Sequence, residues 1–270
     1  MTSKITIKDI AREAGVSVAT VSVATVSYVL NQRNDQKISE ETRNKVLHIS
    51  NLLNYTPNQA ARSLVTQQSN SVVLYYKYAD SILARAEQLH TISFLSRLLH
   101  EQDYQLVCLN EDSIEKFDWA DLILTLDVDN DTFYKIGKLN FKPLIAIDSF
   151  VNDPLFFQIN TDYAALKDQA NQFFKDEPYT LLSLPITNRE RYEHVSAFFP
   201  SLHIVNDLRE LTYFEKENLL LIDESLDQFF VNSSQKLYCP RFSPKKGQVI
   251  LEAIEWTKKR QPDKKHNLLV

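Results

Sequence analysis

The chain has 270 residues, 44% of them hydrophobic and 24% charged, with a net charge of −5. That length suggests about two domains, and the longest apolar runs, Val72 to Tyr76 and Leu219 to Ile222, fall far short of the roughly 18 residues a membrane span needs. With Gly15, Gly137 and Gly247 as its only glycines, the chain contains no GxGxxG dinucleotide loop, no P-loop and no GxSxG nucleophile elbow. Cys108 and Cys239 are too few for a disulfide framework or a four-thiolate site. His48, His90, His100, His194, His203 and His266 form no HExxH or other close ligand pair. No metal, no cofactor and no catalytic residue is therefore expected, and no nucleophile, base and orienter set argues for an enzyme. The start, Met1 to Asp9, carries charges where a secretory signal would be apolar, so the expected compartment is the cytoplasm. Charge is uneven: residues 1 to 70 carry net +3 and the remainder −8. This suits a small polyanion-binding head on an acidic body.

In chain order, Ile5 to Ala14 reads as a helix, with Ile7, Ile10, Ala11 and Ala14 on one face and Thr6 as a hydroxyl cap. Gly15 ends it and Ser17 caps a second helix, giving a helix-turn-helix whose second helix suits the major groove. Ser39 caps a third helix. Glu40 and Glu41 lie in its first turn, and Val46, Leu47, Ile49, Leu52 and Leu53 form the face that closes a three-helix core.

Four spaced blocks then carry a resemblance: Thr6-Ile7-Lys8-Asp9-Ile10-Ala11, Ala14-Gly15-Val16-Ser17, Ala24 to Asn31, and Leu53 to Leu64. Together they resemble the DNA-binding headpiece of the LacI/GalR family of bacterial transcriptional repressors. The resemblance implies a cytoplasmic homodimer, nucleoid-associated when bound, whose recognition helices read adjacent major grooves of a palindromic double-stranded operator. It implies three segments: a headpiece over residues 1–57, a hinge helix and linker over 58–70, and a two-lobed effector-binding and dimerisation domain over 71–270. Asn58 to Leu64 is too short for a stable isolated helix. In the family it orders in the minor groove, where the residue matching Leu64 wedges between base pairs. The implied DNA-binding set is Thr6, Ser17, Ser22, Thr25, Ser27, Tyr28 and Asn31 in the head, with Tyr55, Asn58, Ala61, Arg62 and Leu64 around the hinge.

One feature departs from the family. Val16-Ser17-Val18-Ala19-Thr20 is followed at once by an identical Val21-Ser22-Val23-Ala24-Thr25, where the family has one copy. Five extra helical residues add about 7.5 Å and leave the continuation ~140° out of register. If the second copy docks, the turn after Gly15 absorbs five residues and the connection from Asn31 onward is kept, with Thr25 and Ser27 on the phosphate side and Tyr28 and Asn31 facing the groove. This is the expected arrangement; one continuous long helix, with Ala19, Val23, Val26 and Leu30 as its stripe, is the alternative.

From Ser71 onward short apolar strands alternate with helical segments, as in parallel sheets built from βαβ units. Expected strands are Val72 to Tyr76, Gln105 to Leu109, Leu122 to Leu126, Leu144 to Ile147, Phe156 to Ile159, Thr180 to Leu184 and Leu219 to Ile222. Leu89, Ile92, Leu95 and Leu99 mark the buried face of the first helix, and Val249, Ile250, Ala253, Ile254 and Thr257 that of the last. The order resembles the family's α/β periplasmic-binding-protein-like domain. That likeness implies a sugar-like effector between two lobes, held by Asp148, Asp162, Arg191 and Asp223. The body is shorter than the family's, and lobe two is expected to be reduced between Asp223 and Tyr238 and to lack a returning final strand. The effector pocket is then incomplete. An effector-independent DNA binder and a dimerising paralogue with impaired DNA binding stand as alternatives to an effector-controlled repressor.

Overall fold

The computed structural model describes residues 5–14, 23–30, 33, 35–55, 69–110, 114–231, 235–259, 261 and 264–270, and the chain divides into two compact units, Met1–Gln67 and Gln68–Val270. No helix among the described residues is long and apolar enough to cross a membrane.

The first unit contains the helices α1 (Ile7–Glu13), α2 (Val23–Leu30) and α3 (Glu40–Leu52). At the start of α1 the Thr6 backbone N–H and hydroxyl both donate to the Asp9 carboxylate, at 2.9 and 2.7 Å. These bonds, helped by Arg12, hold the Asp9 carboxyl below its usual range despite the opposing pull of desolvation. Ser39 caps α3 by accepting from the Thr42 N–H, an interaction whose removal typically costs about 0.5–2 kcal/mol. Each helix sends its deepest residue to one core: Ile10, Val26, Val29 and Val46 are fully buried, with Ile7, Ala11, Leu30, Ile38, Ile49, Leu53 and Tyr55 packed around them. Two residues of the expected α3 face turn outward instead, Leu47 at 41% and Leu52 at 66% exposure. A three-helix head of this size has too little interior to enclose five large side chains from one helix.

The second unit is built from two wholly parallel sheets. The first has six strands in the order β10-β5-β4-β3-β1-β2, comprising β1 (Ser71–Tyr76), β2 (Gln105–Asn110), β3 (Leu122–Leu126), β4 (Leu144–Ile147), β5 (Phe157–Asn160) and β10 (Asn267–Leu269). The second has four, in the order β7-β6-β8-β9: β6 (Thr180–Ser183), β7 (Leu202–Ile204), β8 (Leu219–Leu221) and β9 (Lys236–Tyr238). Parallel strands need crossover helices, which cover both faces and make the strands apolar throughout. Thus Val72, Leu74, Leu122 and Leu124 pack on one side against Leu95 and Leu99 of α4 (Ile82–His100) and Ile250 and Ala253 of α9 (Pro244–Lys258). On the other side Val73, Tyr75, Ile123 and Ala146 meet Phe133 and Ile136 of α5 (Asn130–Leu139). The second sheet is covered by α6 (Tyr163–Phe174) and α7 (Arg189–Phe198) on one face, and by a 3-10 helix (Leu208–Phe214) and α8 (Glu224–Phe229) on the other.

Three strands lie outside the sequence-based expectation: β7, β9 and β10. The last of these joins the first sheet, pairing Asn267 to Leu269 with Gln158 to Asn160, so the chain's final described strand belongs to lobe one. Leu89, expected on the buried face of α4, is 66% exposed, while Leu95 and Leu99 are fully buried.

Candidate functional site

In the head, the exposed side of α2 begins with Val23 and Ala24, followed by half-buried Thr25, Ser27 and Tyr28. The Arg33 guanidinium lies 5.6 Å from the centre of the Tyr28 ring, a cation–π contact, and also pairs with Asp35. Thr6 is occupied as the first residue of the α1 cap, and Tyr55 packs against the head core. Ser17, Ser22, Asn31, Asn58, Ala61, Arg62 and Leu64, with the first copy of the repeat, lie outside the described residues.

In the body, the carboxyl ends of strands from both sheets converge on one cavity of about 600 Å³. Lys77 follows β1, Asp127 follows β3, Thr187 lies beyond β6, Asn206 follows β7 and Arg241 follows β9. Ligand crevices in parallel α/β folds form at these ends, because each crossover leaves its loop there. Leu126, Leu184, Pro185 and Ile186 supply an apolar wall.

Behind this cavity lies a cluster of buried charge. Asp127 and Asp148 occupy the same place one residue beyond adjacent strands β3 and β4, and both have φ near +49, a left-handed conformation that aspartate tolerates better than most residues. Asp127 crosses to lobe two. It accepts from the Thr187 and Asn188 N–H groups at 2.9 and 3.1 Å and pairs with Arg191 at 3.1 Å. Arg191 is 1% exposed, and its Nε donates to the Tyr163 hydroxyl. Glu87, on α4, accepts from the backbone N–H and hydroxyl of Ser225 at the start of α8, a second link between lobes. Arg241 sits among three carboxylates, 3.5 Å from Asp223, 3.6 Å from Asp148 and 3.8 Å from Glu87. Asp223 also accepts from the Leu184 N–H, and Lys246 donates to Asp148 at 2.5 Å.

Burial pushes the Asp127 carboxyl up, against the pull of Arg191 and the two amides. Burial, then the nearby Asp223 charge, raises Glu87 in the same way. Asp148 is also desolvated, but Lys246, Arg191 and Arg241 together bring its carboxyl below the usual range. Desolvation lowers the Lys246 ammonium to about 8, even with Asp148 beside it.

Of the four expected effector contacts, Asp148, Arg191 and Asp223 belong to this internal network, and Asp162 caps α6 by accepting from the Ala165 N–H. None of the four lines the cavity. Glu87, Asp127 and Arg241 do, and none of these was marked by the sequence reading. A sequence signal existed for Asp127: like Asp148, it directly follows a nearly pure apolar run. No group of three or more His, Cys, Asp or Glu side chains among the described residues is placed to hold a metal ion.

The model of the bacterial regulatory proteins of the lacI family matches residues 6–23 and again 19–58. Over residues 6–58 this chain is similar to that family. The two matches overlap inside the duplicated segment, the first taking the Val16–Thr20 copy and the second reaching Asn58 through the Val21–Thr25 copy. Among relatives, the "Probable HTH-type transcriptional repressor ExuR" of Bacillus subtilis is 30% identical over 178 residues, 63% of this chain and 51% of its own length. GalS of Salmonella typhimurium, an HTH-type transcriptional regulator, is 48% identical over 68 residues, 25% of this chain and 18% of its own. The chain thus spans about half the length of ExuR and less of GalS. The relatives' names describe regulators of transcription and not enzymes. Among solved structures, the lac repressor dimer bound to operator and an anti-inducer matches with a TM-score of 0.62 and 14% identity, covering 99% of this chain and 96% of that one. At that identity the match establishes the fold, a helix-turn-helix head with a two-lobed α/β body.

The displaced ammonium of Lys246 has a measurable consequence. The folded chain releases this proton near pH 8 and the unfolded chain near 10.5. Between these values the unfolded state holds more protons, so the group's contribution to stability rises with pH. Lys246→Met removes that contribution. Urea unfolding from pH 7.5 to 10.5 is expected to show the advantage of the unmutated chain over Lys246→Met widening across this window; a constant or narrowing difference contradicts the assignment.

Proposed function

We propose that this chain is a DNA-binding transcriptional repressor that holds a palindromic operator as a homodimer. It acts on nucleoid DNA in the cytoplasm. The observation that carries this reading is the coincidence of the second family match, residues 19–58, with a head whose core takes Val26 and Val29 from α2. In this reading α2 enters the major groove. Val23 and Ala24 offer apolar contact suited to thymine methyls, Thr25 and Ser27 face phosphates, and Tyr28 and Asn31 face base edges. Ser17 and Ser22 lie before or at the start of the groove contact, and Thr6 orients α1 across the backbone. Tyr55, Asn58, Ala61 and Arg62 belong to the hinge contacts, and Leu64 is the minor-groove wedge, an insertion whose unstacking costs a few kcal/mol and is offset by the bent duplex.

Support for a homodimer comes from α4, whose outer side carries Ile82 and Leu89 at 83% and 66% exposure. Large apolar side chains held in water along one element suit an interface between copies. The cavity has the size of a small-molecule site, and a sugar-like ligand remains the effector class implied by the family. Asp148, Arg191 and Asp223 are nonetheless engaged by internal partners, which favours a weak ligand response or an effector-independent repressor.

Operator selection from random duplexes, followed by fluorescence anisotropy across salt concentrations, tests the DNA reading. Affinity for the selected palindrome is expected to fall steeply with salt, and Lys37→Ala or Arg62→Ala to reduce the log–log slope by about 1 for each phosphate no longer neutralised. A salt-independent affinity contradicts it. Deleting residues 21–25 restores the family spacing and is expected to tighten specific binding at least tenfold, about 1.4 kcal/mol. Equal or weaker binding means that the repeat is part of this protein's own recognition surface.

A further inference from the structure

The first described residues of the body are held by one carboxylate. The Ser69 N–H and hydroxyl donate to Oδ1 of Asp121 at 2.8 and 2.9 Å, and the Asn70 N–H donates to its Oδ2 at 2.9 Å. The Asp121 N–H in turn donates to the Ser71 carbonyl. Asn70 has a φ of 53, a left-handed turn just before β1. Asp121 itself cannot drift, because Ala120 and Leu122 on either side are fully buried. It directly precedes β3, and Asp127, with its ties to Thr187, Asn188 and Arg191, directly follows the same strand. One short rigid element therefore joins the interlobe charge cluster to the point where the chain enters the body.

We propose that Asp121 is the positioning residue that fixes where the head is tethered to the body, and so determines which half-site spacings the protein accepts; this rests on the DNA-binding reading above. Without the carboxylate, the tie at Ser69 is lost and the next along the chain is at Asn70, whose carbonyl still accepts from the Gln105 N–H of β2 at 2.7 Å. About one residue is released per chain, two per dimer. At roughly 3.3–3.6 Å each they add about 7 Å of reach, close to two base-pair steps of a duplex rising about 34 Å per turn of 10. Added reach spreads the head over more positions and blurs the preferred spacing.

The test uses the full chain with Asp121→Ala and, as a milder variant that keeps one acceptor oxygen, Asp121→Asn. Amide exchange at Ser69 and Asn70 should quicken at least tenfold in Asp121→Ala, as expected for a local opening, and by less in Asp121→Asn. On a series of palindromes with half-sites moved by up to two base pairs, the unmutated chain should lose at least tenfold affinity at the extremes. Asp121→Ala should vary by no more than about threefold, with Asp121→Asn between the two. Unchanged exchange overturns the anchor, and quickened exchange with an unchanged spacing profile overturns its role in spacing. Failure of the unmutated chain to bind any palindrome overturns the DNA-binding reading instead, and the exchange result then judges the anchor separately.

Discussion

A buried guanidinium needs a carboxylate, and meeting that need organises the body. Arg191 is fully enclosed in lobe two, and the charge opposite it, Asp127, is carried by lobe one. An unpaired ion in such a place costs several kcal/mol, so the pair constrains both lobes at once. Asp127 adopts its left-handed conformation to reach across, and its second oxygen takes the amide of Thr187. Asn188 then completes the seam: its side chain accepts from the Arg191 and Phe150 N–H groups and donates to the Val128 carbonyl. A second seam, Glu87 to Ser225, follows the same logic from α4. Arg241 and Lys246 supply the positive charge that keeps the neighbouring carboxylates from repelling each other.

This network bears on control. Asp148, Arg191 and Asp223, which could have faced a ligand, are engaged in the buried network, and the cavity between the lobes is bounded by an apolar wall and by charged groups of which Glu87, Asp127 and Arg241 have ionic partners. A ligand that reorganised the cleft would have to break several buried ionic contacts together. Such a transition needs a large difference in affinity between two lobe arrangements, which is the physical ground for the weak effector response proposed above.

Much of the architecture was legible because parallel strands buried on both faces are nearly pure apolar runs. Leu122–Leu126 and Leu144–Ile147 fall where the sequence placed them. The three missed strands have only three residues each, and two of them include exposed or charged positions, as in Lys236-Leu237-Tyr238, too short to show a period. Asp162 precedes a helical segment in sequence and so has the place of a cap as well as of the family's ligand contact; in the structure it accepts from the Ala165 N–H as the cap. Glu87, Arg241 and Lys246 were missed because an isolated charged side chain reads by default as solvated surface, and only the meeting of distant segments buries it. In the head, the periodicity of α1 was clear, whereas the repeat allowed two registers. Those registers differ by about 140°, and packing against Ile10 and Val46 selects the one that buries Val26 and Val29.

That selection carries the functional account, since it decides which residues the second helix can present to DNA. Methyl NOE spectroscopy on the full chain, with valine and isoleucine labelled, tests it most directly. Cross-peaks from Val26 and Val29 to Ile10 and Val46 are the predicted result; cross-peaks from Val21 to Ile10 and Val46, with none from Val26, would show that the first copy docks and contradict the account.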